Sequence, residues 1–137
     1  MLTTEMEDYI KKIYEKAVEH GQSINKNLDF SDKSIVEVEG ILDYYSKDLK
    51  NSDEARKPTD NQIKSVATIW GIYLGETMRR KVGEGCIWEY NKEQGFYITV
   101  NGADAFPINK AYRRIVLGSE DNIISFYEII TDKLMEN

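Results

Sequence analysis

One cysteine and one histidine in 137 residues leave little room for the common chemistries of small proteins. A disulfide framework needs paired cysteines and a structural zinc site needs about four Cys or His ligands, so neither can be assembled and no cofactor or metal is expected. Catalysis by a Ser-His-Asp or Cys-His arrangement would have to use His20, the only imidazole. Two prolines and 9 glycines are too few for a fibrous or low-complexity chain. No apolar run is long enough to span a bilayer. The acidic start Met-Leu-Thr-Thr-Glu-Met-Glu-Asp also lacks the features of a signal peptide, so the expected location is the cytoplasm, without membrane attachment.

What is present reads as one folded unit. Hydrophobic residues make up 41% and charged residues 31%, enough for one core in a chain too short for two, so a single domain over 1–137 is expected. The net charge of −6 repels a phosphate backbone, and nucleic acid is not an expected partner. Gly83-Glu84-Gly85 is a poor phosphate cradle, since it joins a helical stretch to a strand-like one and carries a carboxylate between its glycines.

Three amphipathic stretches open the chain. Met6, Ile10, Ile13, Tyr14 and Ala17 mark one helix face over residues 3–20, with His20 and Gly21 suited to its C-terminal end. Ser31 is a candidate N-cap for a second helix, whose Ile35, Val38, Leu42, Tyr45 and Leu49 form a heptad-like seam to about Lys50. Gly40 weakens that helix by roughly 1 kcal/mol relative to Ala. Thr59 and Gln62 have the spacing of a capping box for a third helix over about 60–81. Its apolar residues fall on nearly every side, which predicts a central helix covered by other elements. Gly71 and Gly75, one turn apart, would let neighbouring backbone come close.

The period then changes to two. Cys86, Trp88 and Tyr90 alternate with Ile87 and Glu89, and Phe96, Ile98 and Val100 alternate with Tyr97 and Thr99. Asn101-Gly102 predicts a two-residue hairpin that sets Val100 opposite Ala103 and Ile98 opposite Ala105. Pro107 suits the first turn of a helix ending at Gly118. Ser119 is expected to cap a last helix with Glu120 and Asp121 in its first turn and Ile123, Phe126, Tyr127, Ile130 and Leu134 on its apolar face. The fold class is therefore α+β: three helices, a three-stranded antiparallel meander and two C-terminal helices around one core.

Most polar residues have a structural explanation. Cys86 alternates in phase with Trp88 and reads as a small buried hydrophobe. Arg79-Arg80-Lys81 and Arg113-Arg114 lie toward helix C-termini, where cations are favoured. The 9 tyrosines are spread over helices and strands as core-edge residues. Glu76 is the carboxylate to watch. Arg79 at i+3 and Arg80 at i+4 can pair with it, and the alternative is a small-ligand or histidine-independent catalytic cleft beside the central helix lined by Tyr73, Glu76 and Arg80. No catalytic residue is assigned. The acidity is uneven: residues 1–60 hold 9 Lys and Arg against 14 Asp and Glu, whereas residues 61–137 hold 9 against 10. Glu7, Glu15, Glu37, Asp43 and Asp48 are thus candidates for an acidic face that steers a basic protein.

Trp70-x-x-Tyr73-Leu74-Gly75-Glu76, Gly85-x-x-Trp88, Phe106-Pro107-Ile108-x-Lys110-x-x-Arg113-Arg114 and Gly118-x-Glu120-Asp121 leading to Phe126-Tyr127 span about half the chain. In these segments the chain resembles a group of small bacterial proteins without assigned chemistry, some regarded as immunity proteins encoded beside secreted toxins. The resemblance implies a bacterial, cytoplasmic, non-enzymatic protein that acts by occupying a partner. It carries no functional residue across.

Overall fold

The second and third helices start where their caps predict. In the computed structural model, which describes residues 2–133, α1 spans Thr4–Ser23, α2 Asp32–Asn51 and α3 Asp60–Val82. The Ser31 side chain accepts the Ser34 N–H at the start of α2. At α3 the capping box is complete, since Thr59 Oγ1 accepts from the Gln62 N–H and Gln62 Oε1 accepts from the Thr59 N–H. The three-stranded meander follows as β1 (Cys86–Asn91), β2 (Gly95–Val100) and β3 (Ala103–Ala105). It is antiparallel, with Val100 opposite Ala103 and Ile98 opposite Ala105. Asn101 and Gly102 both have positive φ, as a type I′ turn requires. Pro107 opens α4 (Pro107–Leu117), and α5 (Ile123–Glu128) runs on as a wider π-helical turn over Ile129–Lys133. The molecule is an α+β fold.

α3 is the central element. Its residues from Trp70 to Met78 are all buried, covered by α1 on one side, α4 on another and the inner face of the sheet near its C-terminal half. The two glycines make this possible. A Cβ on Gly71 would meet the Ile108 backbone of α4, and one on Gly75 would meet the Trp88 ring and Pro107. These elements therefore approach α3 more closely than any larger residue allows. α2 packs chiefly on α4, and α1 and α2 make no substantial contact with each other.

Two expectations change at helix ends. Gly21 is not a left-handed cap but part of the last turn of α1, where the absence of a side chain admits Leu28; the positive φ falls instead on Asn25. Ser119 does not cap α5. Ser119–Asp121 form a 3-10 turn, and the Asn122 side chain accepts the Ile124 N–H. Asp121 is drawn out of any first-turn role by Lys110 and Arg113 of α4, both 3.2 Å from its Oδ1. Leu134 lies outside the described residues.

The glycine geometry yields opposite outcomes for similar substitutions. Gly71→Ala forces a methyl into the Ile108 backbone and should destabilise by about 1–3 kcal/mol. Gly40→Ala meets nothing within 4 Å and should stabilise by about 1 kcal/mol through helix propensity alone. Trp70, 2% exposed, should cost about 3–5 kcal/mol on truncation to Ala. Urea unfolding of the three variants measures all three values, and a loss below about 1 kcal/mol for Trp70→Ala would contradict a central α3.

Candidate functional site

Glu76 lies on the flank of α3 that faces β1, and its two oxygens are fully engaged. Arg79 donates to both of them, from Nε at 2.9 Å and from Nη2 at 2.7 Å. Arg80 Nε donates to Oε2 at 2.9 Å and Trp88 Nε1 to Oε1 at 3.1 Å. Burial alone would push this carboxyl up, but the hydrogen bonds from Arg79, Arg80 and Trp88 outweigh it and hold Glu76 below the ordinary glutamate value. It is an ionised strut joining the end of α3 to the sheet.

The other two residues of the expected cleft are committed as well. Tyr73 is wholly buried; its hydroxyl donates to Ser34 Oγ and accepts the Phe30 N–H. Phe30 has a positive φ, 62°, and is held there between the Tyr73 ring, stacked at 4.8 Å, and the Arg80 guanidinium, 3.7 Å above its centroid. Tyr73, Glu76 and Arg80 thus build a buckle that fastens the α1–α2 loop and β1 to α3. Of the three, Glu76 borders the groove between α1 and β1, but with no free oxygen to offer a ligand.

The acidic residues do not form one face. Asp43 is drawn inward, 2.7 Å from Arg114 and 2.8 Å from Lys47, and its carboxyl is held below the usual range by Lys47 and Arg114. Glu37 pairs with Lys26 at 2.9 Å. At 100° per residue, Asp43 lies about 120–140° around α2 from Glu37 and Asp48. Glu7, Glu15 and Asp48 are exposed and carry no ion pair among the described residues.

Arg114 is a residue that the sequence pattern did not single out beyond its helix-end position. It is 1% exposed, at the centre of the α2–α4 interface. Its Nε donates to both oxygens of Glu39 and its Nη2 to Asp43, and Glu39 also accepts the Ile123 N–H that opens α5. Nη1 is buried without a hydrogen-bond partner among the described residues. One guanidinium therefore ties three helices, from residues more than seventy positions apart.

The outer side of α2, where Lys33 and Lys47 are exposed, also carries exposed apolar residues. Val36, Gly40 and Tyr44 repeat every fourth residue, about 180° from the Ile35–Leu49 seam. Val36 is 53% exposed and Tyr44 67%. With Ile24 and His20 at the end of α1 and with Ile41, they line a groove of about 680 Å³. His20, in the last turn of α1 as expected, also packs edge-on against Trp70, 5.5 Å between centroids, and forms a wall of this groove. The signal was legible as two apolar residues and a glycine opposite the seam.

Among the described residues no three His, Cys, Asp or Glu side chains come together as metal ligands, and no helix is long and apolar enough to cross a membrane. The chain matches no protein-family model, no curated protein and no solved structure.

Two stability predictions follow from the ion pairs. Glu76→Gln should lose about 2 kcal/mol at pH 7, the worth of its charged hydrogen bonds. Because the folded-state value is depressed, this stabilisation is present above the unfolded glutamate value of about 4.3 and vanishes as pH falls through the folded one. Urea melts of wild type and variant should therefore converge in acid. Arg114→Met leaves Glu39 uncompensated in the interface and should cost about 3–5 kcal/mol, part of which the additional change Glu39→Leu restores.

Proposed function

We propose that this protein acts by binding another protein through the outer face of α2, as an inhibitor of the immunity type. The observation that carries this reading is the Val36–Gly40–Tyr44 strip. Exposed apolar residues are ordinary when scattered, but Ile24, Val36 and Tyr44 gather on one groove. Gly40 strengthens the point. It weakens the helix and nothing within the fold uses the space it leaves, whereas Gly71 and Gly75 repay the same cost through close packing. A partner that packs against α2 could come near its backbone at Gly40 and bury Tyr44, an aromatic of the kind that dominates interface energetics.

Charge supports a basic partner. The molecule carries −6, and Asp48, exposed and without an ion pair among the described residues, lies on the flank of α2 beside the groove, in whose lining Glu37 is paired with Lys26 at 2.9 Å. Such charges raise association rates at low salt and fade as the screening length falls toward roughly 8 Å near 0.15 M. In this reading the protein works in the cytoplasm, in keeping with its single thiol.

The test begins with affinity capture from the source cells, with wild type and a Leu117→Glu control as baits. For the protein retained by both, Tyr44→Glu should weaken binding by at least about tenfold, mostly through faster dissociation. The pair Glu37→Lys and Asp48→Lys should slow association at low salt and leave it unchanged at high salt. A partner whose affinity ignores Tyr44→Glu would show that α2 is not the docking face.

A further inference from the structure

α1 is held differently from the other helices. Among the described residues no side chain of Thr4–Ser23 makes a hydrogen bond or ion pair with another element. The other seams all have such ties: Tyr73 to Ser34 between α3 and α2, Tyr127 to Asp32 between α5 and α2, and Tyr112 to Asp60 between α4 and α3. α1 docks through Ile10, Ile13 and Ala17 and through ring contacts, with His20 5.5 Å from Trp70 and Tyr9 5.6 Å from Phe96. Its backbone lies substantially against α3 alone. Open grooves run along both flanks, about 490 Å³ between its first half and β1 and about 680 Å³ between its end and α2. Apolar contact is non-directional, and removing α1 strands no polar group of α3, because Tyr73 and Glu76 are satisfied from α2, the loop before it, β1 and α3 itself.

The loop that joins α1 to α2 divides at Asp29. Before it, the Ile24 and Lys26 N–H groups donate back to the Gly21 carbonyl, and Leu28 packs into the space that Gly21 leaves, so these residues belong with α1. After it, Phe30 belongs with α3. Its N–H donates to the Tyr73 hydroxyl, its ring lies between Tyr73 and Arg80, and it keeps a φ of 62°, which a bulky residue holds only in a fixed setting. Asp29 is exposed and bonds forward to Ser31. Two contacts cross the division, the edge of Tyr14 on Phe30 and the partly exposed pair of Lys26 with Glu37, and pairs of that kind contribute little.

We infer that residues 4–28 form a lid: α1 and the turn behind it lift from α3 together, about a hinge at Asp29, while α2 to α5 and the sheet stay closed. Lifting bares Trp70 and joins the two grooves into one cleft along α3. The groove beside α2 loses His20, Ile24 and Lys26 from its wall, so it exists in the closed state alone. Lifting of the lid does not depend on what binds beside α2.

The test is amide hydrogen exchange of the full chain, followed by NMR at low urea concentrations. Off α3, a helix of 20 residues is marginal in water and its amides exchange. Amides from Ile10 to Gly21, together with Lys26, should exchange at least about a hundredfold faster than those from Trp70 to Met78, each relative to its unstructured rate, and should share one shallow urea dependence. Phe30 should exchange at least about tenfold more slowly than Lys26, which places the hinge between them. A second readout compares Ala17→Cys with Ala111→Cys, both positions wholly buried, in a Cys86→Ala background. The thiol introduced at position 17 should be alkylated at least about a hundredfold faster than the one at position 111. Should either variant fail to fold, exchange of the unaltered chain still decides. Both measurements use the chain without a partner, so they decide the lid separately from docking at α2. Exchange of α1 at the rate of Trp70 to Met78, fraying graded from one end of α1, exchange of Phe30 together with Lys26, or equal alkylation at the two positions would overturn the proposal.

Discussion

A helix with nine consecutive buried residues has to satisfy every polar atom it carries without water, and the rest of the fold is arranged around that demand. Along α3 the demand is met locally at Thr77, whose hydroxyl donates to the Tyr73 carbonyl, and at longer range elsewhere. Tyr73 reaches the start of α2 and the loop before it. Glu76 reaches the indole of β1 and takes two arginines from the last turn of its own helix. The glycines at 71 and 75 then bring α4 and Trp88 within reach. Were α3 set even a few tenths of an ångström farther out, the Glu76–Trp88 bond at 3.1 Å would stretch toward the limit of a hydrogen bond, and burial of the carboxylate would lose part of its compensation.

The same logic, applied between α2 and α4, rests on a different chemistry. There the seam is closed by one planar guanidinium that meets Glu39 with its Nε edge and Asp43 with a terminal nitrogen. A lysine has the charge but not the fork, and could not hold both carboxylates while Glu39 also receives the first N–H of α5. The consequence for charge is counterintuitive. Of the acids that give the N-terminal half its surplus, Asp43 and Glu39 are spent on holding the protein together, and the field available for a partner comes from the residues left at the rims of α1 and α2.

Local signals were legible in the sequence and non-local ones were not. Thr59 with Gln62, and Asn101 with Gly102, act within three residues of themselves, so their type and spacing specify the start of α3 and the strand register directly. The α+β order follows from where the hydrophobic period changes. Arg114 looked like an ordinary cation at a helix end, because nothing at position 114 refers to positions 39 and 43. Asp121 looked like dipole compensation for the same reason, although Lys110 and Arg113 on the preceding helix claim it. Gly21 had the composition of a cap but serves to admit Leu28. For the site, the pairing of Glu76 with its arginines was readable from i+3 and i+4 spacing, whereas the seal over Tyr73 depends on the α1–α2 loop folding back, a tertiary event. The groove beside Gly40 was present in the pattern as apolar residues on the wrong side of a seam.

Cys86 stands at the start of β1, between the Glu76 strut and the groove, and it is 2% exposed with its thiol pushed up to about 11 by burial. Reaction of a thiol reagent requires the thiolate and access to it, and the closed structure withholds both. Alkylation of this one sulfur is therefore a clock for the parting of β1 from α3 and α1. In the regime where reclosing outpaces the reagent, its rate reports the fraction of molecules in which that seam is open; when the reagent outpaces reclosing, it reports the rate of opening. The chain thus carries its own probe of local unfolding at the start of β1.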